Sequence, residues 1–518
     1  MFDKWLNLPA HLYLRITALT ILTVGIALSN VLMSIGTIWI ISNWLIEADF
    51  KNYVQRFKEK KSVWFVIFIF FFLALSLIWS VDFNYGFKDL RIKLPFIVIP
   101  IVLATSEPLQ RKHFYFLLYV FLGIVLYTSS YNIIRYNYFL PDSADIREMS
   151  TFISHVRFSL LINLAFFTTV FLVLKKKRYW YLWVPAGAWF LFYLFKSQII
   201  NGYILFVVLI VLTALYVIFR IQSTKQKYGL LSLFFFISCI VVFAGVKIVN
   251  QLKTIDPIHF EELDVYTANN NPYFHDTSNT EIENGNYVWI YVNQAEMEKE
   301  WEMRSAIPYD SLDYLGQPMF GTLMRFLTSK GYRKDSLGVS MLTTAEIEQI
   351  ENGQTSIAVN KGFMTRLNTF FYELNIYQKG GDPNGHSLIQ RIEHFKAASN
   401  LVRKFPWFGV GVGDVPAAFK MEYQAMNSHL IEANQHRSHN QFLTIWVGLG
   451  VLGFIAFVGL LIWPFFEVKH HDFFTLLVLV SLLVSCLFQD VIETQAGVTI
   501  FALFYSLAIY RPQELAQE

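Results

Sequence analysis

Two imidazoles, a guanidinium and an amide stand together in His436-Arg437-Ser438-His439-Asn440-Gln441, just before the apolar run Thr444-Ile445-Trp446-Val447-Gly448-Leu449. Histidine is the side chain whose unperturbed pKa lies nearest neutral pH, so this segment can take or give a proton. At the point where a long polar stretch enters an apolar helix, that chemistry would act on a substrate held at a membrane surface. The plain alternative is a polar cap on an interfacial helix. Two histidines three apart can also share a metal ion, but no cysteine or carboxylate stands at suitable local spacing, and no metal is expected. If the helix starts before Arg437, His436 and His439 share a face; if it starts at Asn440, they diverge.

Three further groupings carry chemistry. Arg391 and His394 lie one turn apart on an expected helix over 387–405, with Leu388, Ile392, Phe395, Ser399 and Val402 as its apolar stripe and Ser387 and Gln390 in capping-box spacing. That helix follows the turn Asp382-Pro383-Asn384-Gly385 and runs into Phe405-Pro406-Trp407-Phe408-Gly409-Val410-Gly411-Val412-Gly413-Asp414. The glycine spacing lets backbone approach a ligand or a packed helix closely. The second grouping is the basic cluster Arg325, Lys330, Arg333 and Lys334, by default solvated loop charge, otherwise a match for phosphate oxygens. The third is the set of polar residues at span ends: His155 and Arg157, then Lys196, Ser197, Gln198 and Asn201. Such residues snorkel to the interface or mark a substrate path. An amphipathic helix over 362–374 carries Arg366 off its apolar face, a candidate substrate contact.

Composition fixes the elements that must position these groups. Of 518 residues, 54% are hydrophobic and 16% charged, with a mean hydropathy of +0.40; soluble domains average about 45–50% apolar and about 25% charged. Apolar runs such as 63–79 and 203–219 are long enough for a bilayer, which needs roughly 20 residues per helix. The expected fold class is all-α, a polytopic membrane protein with about twelve transmembrane helices. The spans fall near 13–28, 31–48, 62–79, 92–105, 114–131, 157–174, 179–195, 199–219, 229–249, 440–462, 473–488 and 496–510. They divide the chain into an N-terminal bundle over 1–249, a polar, largely helical module over 250–438 and C-terminal helices over 439–518.

No small-residue cleavage site follows the first apolar run, so a cleaved signal peptide is not expected. Cys239 and Cys486 both lie in apolar stretches and cannot build a disulfide framework. The basic stretches 51–61, 175–178 and 220–227 fall on one side of the twelve-span arrangement, which places both termini in the cytoplasm and the polar module outside. That module holds 16 basic and 23 acidic residues, whereas the rest of the chain holds 26 basic and 16 acidic. A module of that sign has no basic stripe for nucleic acid, and none is expected as a partner.

In their order these pieces resemble the O-antigen ligase and polymerase family of bacterial envelope glycan enzymes. The resemblance covers most of the chain and is strongest from Arg391 to Phe457. In that family an arginine-bearing helix leads to a Pro-x-x-Gly-x-Gly-x-Gly turn, here Pro406 to Gly413; a His-Asn-x-x-Leu follows, here His439 to Leu443; then comes a Gly-x-x-Gly-x-x-x-Phe helix, here Gly450 to Phe457. The stretch Thr328 to Asp335 and the long module resemble members from Bacteroidetes-type bacteria, where an Asp-Pro-Asn-Gly-His-Ser, here Asp382 to Ser387, precedes the arginine helix.

The resemblance implies a metal-independent, cofactor-free, inverting glycosyltransferase of the C-type membrane fold in the bacterial inner membrane. It moves a glycan from an undecaprenyl-diphosphate carrier to an acceptor hydroxyl at the periplasmic face, with membrane lipids around it. On that basis His439 is the candidate base and Arg391 the candidate diphosphate ligand. Asn440, His436, Arg437, Lys196, Gln198, Arg157, Arg366 and His386 are candidate substrate contacts. Family members carry Ser-Arg or Ser-Lys where this chain reads Lys196-Ser197-Gln198, so the cation is displaced by two positions. The leading acceptor is lipid A core. A growing glycan chain or a protein hydroxyl would make the enzyme a polymerase or an O-linked oligosaccharyltransferase, and a lipid-linked glycan transporter is the alternative of another class.

Overall fold

The computed structural model describes residues 8–140, 146–175, 180–253, 263–277, 279, 282–283, 286–314, 316–356, 374, 377, 383–384, 387–468 and 472–511. It is mostly helical, with 74% helix and almost no strand. The chain forms two compact units, one of Met1–Lys227 with Gln390–Glu518 and one of Tyr228–Ile389.

The helices, in chain order, are α1 Leu8–Leu28, α2 Asn30–Glu47, α3 Phe50–Glu59, α4 Ser62–Leu75 (prolonged by a 3-10 turn Ser76–Trp79), α5 Phe83–Ile92, α6 Leu94–Thr105 and α7 Arg111–Tyr138. They continue as α8 His155–Leu174, α9 Trp180–Ser197, α10 Ile200–Arg220 and α11 Thr224–Lys253. The second unit adds the short helices α12 Gln294–Glu302, α13 Met319–Ser329, α14 Ser336–Ser340 and α15 Thr344–Glu351. After them come α16 Ser387–Lys404, α17 Val415–Ala425, α18 Gln441–Ile462, α19 Pro464–Glu467, α20 Phe473–Phe488 and α21 Gln495–Ile509.

Each expected span falls on a helix. Among the described residues 7 helices are long and apolar enough to cross a membrane, or 8 when α2 and α3, bent by 115° at their junction, count as one. Of the others, α6, α20 and α21 are shorter: α6 has 12 residues, which at 1.5 Å per residue covers about 18 Å of a hydrocarbon core about 30 Å thick. Outward faces of the spanning helices are apolar too, with Phe71, Ile78, Val207 and Phe219 exposed. Lipid solvates such a surface and water does not.

The compact units divide between Ile389 and Gln390, within the polar module expected over 250–438. Residues from Gln390 onward belong with the first unit, because α16 and α17 share an apolar cluster with α18: Ala397, Ala398 and Leu401 meet Val415, Ala418, Phe419, Tyr423, Leu430 and Val447. The buried stripe of α16 is therefore Ile389, Glu393, His394, Ala397, Ala398 and Leu401, not the expected one through Phe395, which is exposed. Two alanines admit closer packing than the larger residues beside them, and that rotates the helix. It begins at Ser387, so the position before it is His386, outside the described residues.

The glycine-spaced turn after α16 pairs with a break in a helix. Gly450 sits inside α18 at φ 67 and ψ −165, a region essentially closed to side-chain-bearing residues. Around this break the backbones of two segments bond like strands: Val410 N–H donates to Val447 O (2.8 Å), Gly411 N–H to Gly448 O (3.1 Å) and Val451 N–H to Pro406 O (2.8 Å). A Cβ on Gly409 would lie 2.5 Å from Gly448 C, and one on Gly450 would lie 2.1 Å from Trp407 O. The same turn is tied to the end of α4, where Ser76 Oγ and Ser80 Oγ accept from Val412 N–H and Gly413 N–H, both at 3.1 Å. Asp414 closes it by accepting from the N–H groups of Val81 and Asp82.

In the second unit Val288, Met297, Trp301, Leu323, Phe326, Leu327 and Ile350 form a separate core, beside a two-stranded ribbon of β1 Ile282–Glu283 and β2 Asn286–Tyr287. The basic cluster is paired locally: Arg325 with Glu283 at 2.9 Å, Lys330 with Glu346 at 2.6 Å and Arg333 with Asp264. Lys334 is buried and donates to Tyr287 O. The expected helix over 362–374, with Arg366, lies outside the described residues apart from Leu374, which is helical.

Gly450→Ala is expected to lower unfolding stability by at least about 1–3 kcal/mol, read as the thermal midpoint of the detergent-solubilised protein. Gly123→Ala, where an added Cβ meets nothing within 4 Å, should leave that midpoint unchanged or raise it slightly.

Candidate functional site

Four buried charges hold the floor beneath the histidine segment. Lys93 pairs with Asp89, one turn before it, and with Glu493 at 2.8 Å. Glu493 also pairs with Arg437, whose second donor goes to the Tyr85 hydroxyl. Gln441 joins the set, donating to Glu493 at 2.9 Å and accepting from Ile492 N–H at 2.8 Å. Burial opposes the charge on Glu493, but Lys93 and Arg437 outweigh it and hold its carboxyl below the usual range. Arg437 thus ties the histidine segment to the turn between α20 and α21. Its guanidinium is turned to Glu493 and Tyr85. A small, partly open cavity of about 20 Å³ is lined by these four charged residues with Val412, Thr444 and Gly448.

Asn440 also has a structural role. It is the N-cap of α18, its Oδ1 accepting from Leu443 N–H at 3.0 Å and its Nδ2 donating to Leu487 O at 2.9 Å. The capping alternative therefore describes Asn440, while the histidine before it takes another part.

The helix starts at Gln441, yet the two histidines of the segment do not diverge. His439 has left-handed backbone, φ 51, and this turns its ring to within 6.0 Å of the His436 ring and 5.2 Å of the His394 ring on α16. His394 and His436 are 5.8 Å apart. Despite this proximity, no group of three or more His, Cys, Asp or Glu among the described residues is arranged to hold a metal ion.

Asp490, from the turn after α20, supports the unusual backbone by accepting from His439 N–H at 3.1 Å and from Thr444 Oγ at 2.6 Å. Its carboxylate is 4.0 Å from His439 Nδ1. Burial first, then the nearby Glu493, pushes the Asp490 carboxyl up to about 6.

Two arginines complete the group. Arg391, half-buried on α16, makes no hydrogen bond or ion pair with the described residues, and Asp490 is the group whose field favours its charge. Arg157, at the start of α8, donates to Ser154 Oγ at 2.9 Å, and its buried Nε has no partner among the described residues. Burial pulls the His439 imidazole down to about 3, with the positive fields of His394, Arg391, His436 and Arg157 acting in the same direction. His439 is therefore neutral at pH 7, facing two guanidinium groups that remain charged.

His394 is fully inside, 1% exposed, with Nε2 bonded to Asn434 O at 2.9 Å. A carbonyl only accepts, so Nε2 carries the proton and Nδ1 presents a lone pair; Nδ1 has no partner among the described residues. Burial drives this imidazole down to about 4.

Of the other expected contacts, His436 is exposed beside the cluster, its carbonyl accepting from the Tyr423 hydroxyl at 2.7 Å. Lys196 is exposed in the last turn of α9, and Gln198 follows in left-handed backbone at φ 51. Arg366 and His386 lie outside the described residues. A second small cavity, of about 10 Å³, opens between α8, α10 and α20, lined by residues that include Ser159, Asn201, Leu205, Ser485 and Gln489.

Asp490 and Thr444 were missed by the sequence reading. The signal was present, because a span ending near residue 488 that runs outward puts Asp490 on the same side as His439. Compared with known protein families and with curated proteins, the chain matches none of either. Function must therefore be argued from the cluster itself: a neutral imidazole, a carboxylate behind it and two guanidinium groups with donors to spare.

Between the ordinary histidine value of 6.5 and about 4, the unfolded chain takes up a proton at His394 that the folded protein refuses. Stability therefore falls as pH falls through that window. His394→Gln keeps a donor for Asn434 O and removes the titration. Between pH 7.5 and pH 5 the variant should lose about 2 kcal/mol less stability than the wild type, read by thermal unfolding at both pH values. Equal losses would show that His394 is not held neutral by the fold.

Proposed function

We propose that this protein is a glycosyltransferase of the O-antigen ligase kind. It transfers a glycan from an undecaprenyl-diphosphate carrier to an acceptor hydroxyl at the periplasmic face of the inner membrane, with lipid A core as the leading acceptor. The observation that carries the reading is the pair of incompletely satisfied guanidinium groups, Arg157 and Arg391, grouped around a neutral His439.

In this reaction the acceptor oxygen attacks the anomeric carbon from the side opposite the diphosphate. The new C–O bond forms as the anomeric C–O–P bond breaks, and configuration inverts. The bond's electron pair leaves on the diphosphate, whose growing charge Arg157 and Arg391 stabilise. The acceptor's proton passes to His439.

An imidazole held near 3 is neutral but a weak base. Burial depresses it first and the positive field adds to that; a diphosphate bound beside it would relieve the second cause, so the donor itself raises the basicity of His439. Twelve crossings of the membrane, both termini in the cytoplasm and the polar module outside form part of the same proposal, because they place the cluster on the side where lipid-linked glycans are consumed.

His439→Ala and Arg391→Ala should each lower transfer from a purified lipid-linked donor by at least about 100-fold, with normal amounts of protein in the membrane. Wild-type transfer by either variant removes that residue from the mechanism. Activity should persist in excess chelator; loss of activity restored by a divalent ion overturns the metal-independent part. Loss of lipid A-linked polymer in a strain lacking the protein supports ligation. Shortened chains there would instead make it a polymerase, and unmodified glycoproteins an O-linked oligosaccharyltransferase.

A further inference from the structure

We propose that α3 is a docking surface for anionic phospholipid: Lys51 and Lys58 take headgroup phosphates while Phe50 and Val54 enter the acyl edge of the same leaflet. This inference stands apart from the glycan-transfer reading, because α3 and the His439 cluster lie at opposite ends of α4. At the near end Ser62 donates its N–H to Glu467 at 2.6 Å. The far end carries Ser76 and Ser80, which hold the glycine-spaced turn. Ser62–Trp79 is long and apolar enough to cross a membrane, so its two ends face opposite leaflets.

The geometry of α3 suits a leaflet surface. After α2 the chain turns through 115° into α3, which therefore lies closer to the membrane plane than to its normal. Around the α3 axis the side chains fall in a graded order. Tyr53 is the buried face, stacked on Trp44 at 4.8 Å between ring centroids, with its hydroxyl donating to Glu47 at 2.9 Å. Half-buried Phe57 comes next, then Phe50 and Val54, which are 51% and 54% exposed. Beyond them Lys58 and Lys51 are exposed side by side, and Gln55, Glu59 and Asn52 complete the turn. Apolar, cationic and polar rows in that succession match acyl chain, phosphate and water along the membrane normal. Aromatic rings mark the same level: Phe57 meets Trp64 at 4.4 Å, and Lys61 lies over Trp463 at 5.8 Å. Tryptophan is enriched at the membrane–water boundary.

Charge complementarity names the occupant. The carboxylates at the start of α3 are already engaged, Glu47 by Tyr53 and Asp49 by the Asn52 amide at 2.9 Å, with Arg56 4.0 Å from Asp49. Arg56 itself donates to Thr105 O at 3.1 Å. Behind it Arg15 is buried and donates to Glu107 O at 2.9 Å, while its Nε and Nη1 have no partner among the described residues. Lys51, Lys58 and Lys61 face outward from these two guanidinium groups. Lysines at that level attract anionic headgroups and discriminate them from zwitterionic ones. A soluble anion would find the lysines but gain nothing from Phe50 and Val54; the apolar row selects a lipid.

Amide hydrogen exchange of α3, read by mass spectrometry on the full chain in lipid nanodiscs, tests the proposal. In discs of phosphatidylcholine with phosphatidylglycerol, exchange across α3 should be slower on the order of 10-fold than in phosphatidylcholine alone. High salt should erase most of that difference. Lys51→Gln combined with Lys58→Gln should abolish it, whereas Lys88→Gln combined with Lys299→Gln, an equal loss of charge at exposed sites elsewhere, should keep it. Val54→Gln should weaken it with both lysines in place. Equal exchange in the two kinds of disc, or an unchanged difference in the Lys51 and Lys58 variant, overturns the proposal. Equal slowing by free glycerol phosphate in phosphatidylcholine discs also overturns it, because the surface would then recognise a soluble phosphate. If the double lysine variant does not fold, the wild type in high salt and Val54→Gln carry the test, and a difference that survives both counts against the proposal. The activity of His439→Ala is a separate readout, so the glycan-transfer reading stands or falls without α3.

Discussion

The arrangement of the first unit depends on a helix that is broken on purpose. At Gly450 the backbone of α18 leaves the helical region, freeing carbonyl and N–H groups that must find partners. The turn from Pro406 to Gly411 supplies them, through Val410 and Gly411 to the carbonyls of Val447 and Gly448, and through Pro406 O to Val451 N–H and the Trp446 indole. Every partner is main chain except that indole, so the docking needs glycine where the backbones nearly touch. The two broken ends satisfy one another, and neither segment is complete alone.

That exchange is what brings the chemistry together. Arg391 and His394 are carried by α16, which ends directly before the turn; His439 and Asn440 stand directly before α18. With the turn fixed against α18, the two segments cannot slide, and His394 comes to 5.2 Å from His439. The buried quartet of Asp89, Lys93, Arg437 and Glu493 then fixes the turn that carries Asp490. Two positive and two negative groups, alternating, cancel one another in a place where a single charge would be costly. Of the cluster's residues, Arg157 alone arrives by a separate route, on α8.

The sequence made much of this legible because hydropathy in a membrane-type chain is a strong local signal. Every expected span falls on a helix, and the gap between the expected spans 13–28 and 31–48 coincides with the break between α1 and α2 at Ser29. Roles that depend on distant partners were harder. Arg437 pairs with Glu493, far along the chain, a partner that nothing in its local sequence announces; the sequence around Asn440 fits capping and binding equally. The stripe of α16 was misjudged because Ala397 and Ala398 count for little in hydropathy while controlling how closely helices approach. The glycine spacing was read as permitting either a ligand or a helix, and which of the two it was rested on Gly450, some forty residues later.

The same dependence explains why the cluster has its particular electrostatic state. Arg157, Arg391 and three histidines grouped with the Asp490 carboxylate concentrate positive charge there. A soluble enzyme could relax that concentration with water and ions; here α16, the His439 segment and the Asp490 turn are all clamped by contacts that do not involve the cluster. Burial first, and the positive field of that group second, hold the His439 imidazole down. In the proposed transfer such a site would couple binding to reactivity, since the anion that relieves the positive field would also make His439 more basic. Rigid backbone elsewhere would then be a condition of that chemistry, because a flexible site would satisfy its own arginines and lose the driving force for the anion.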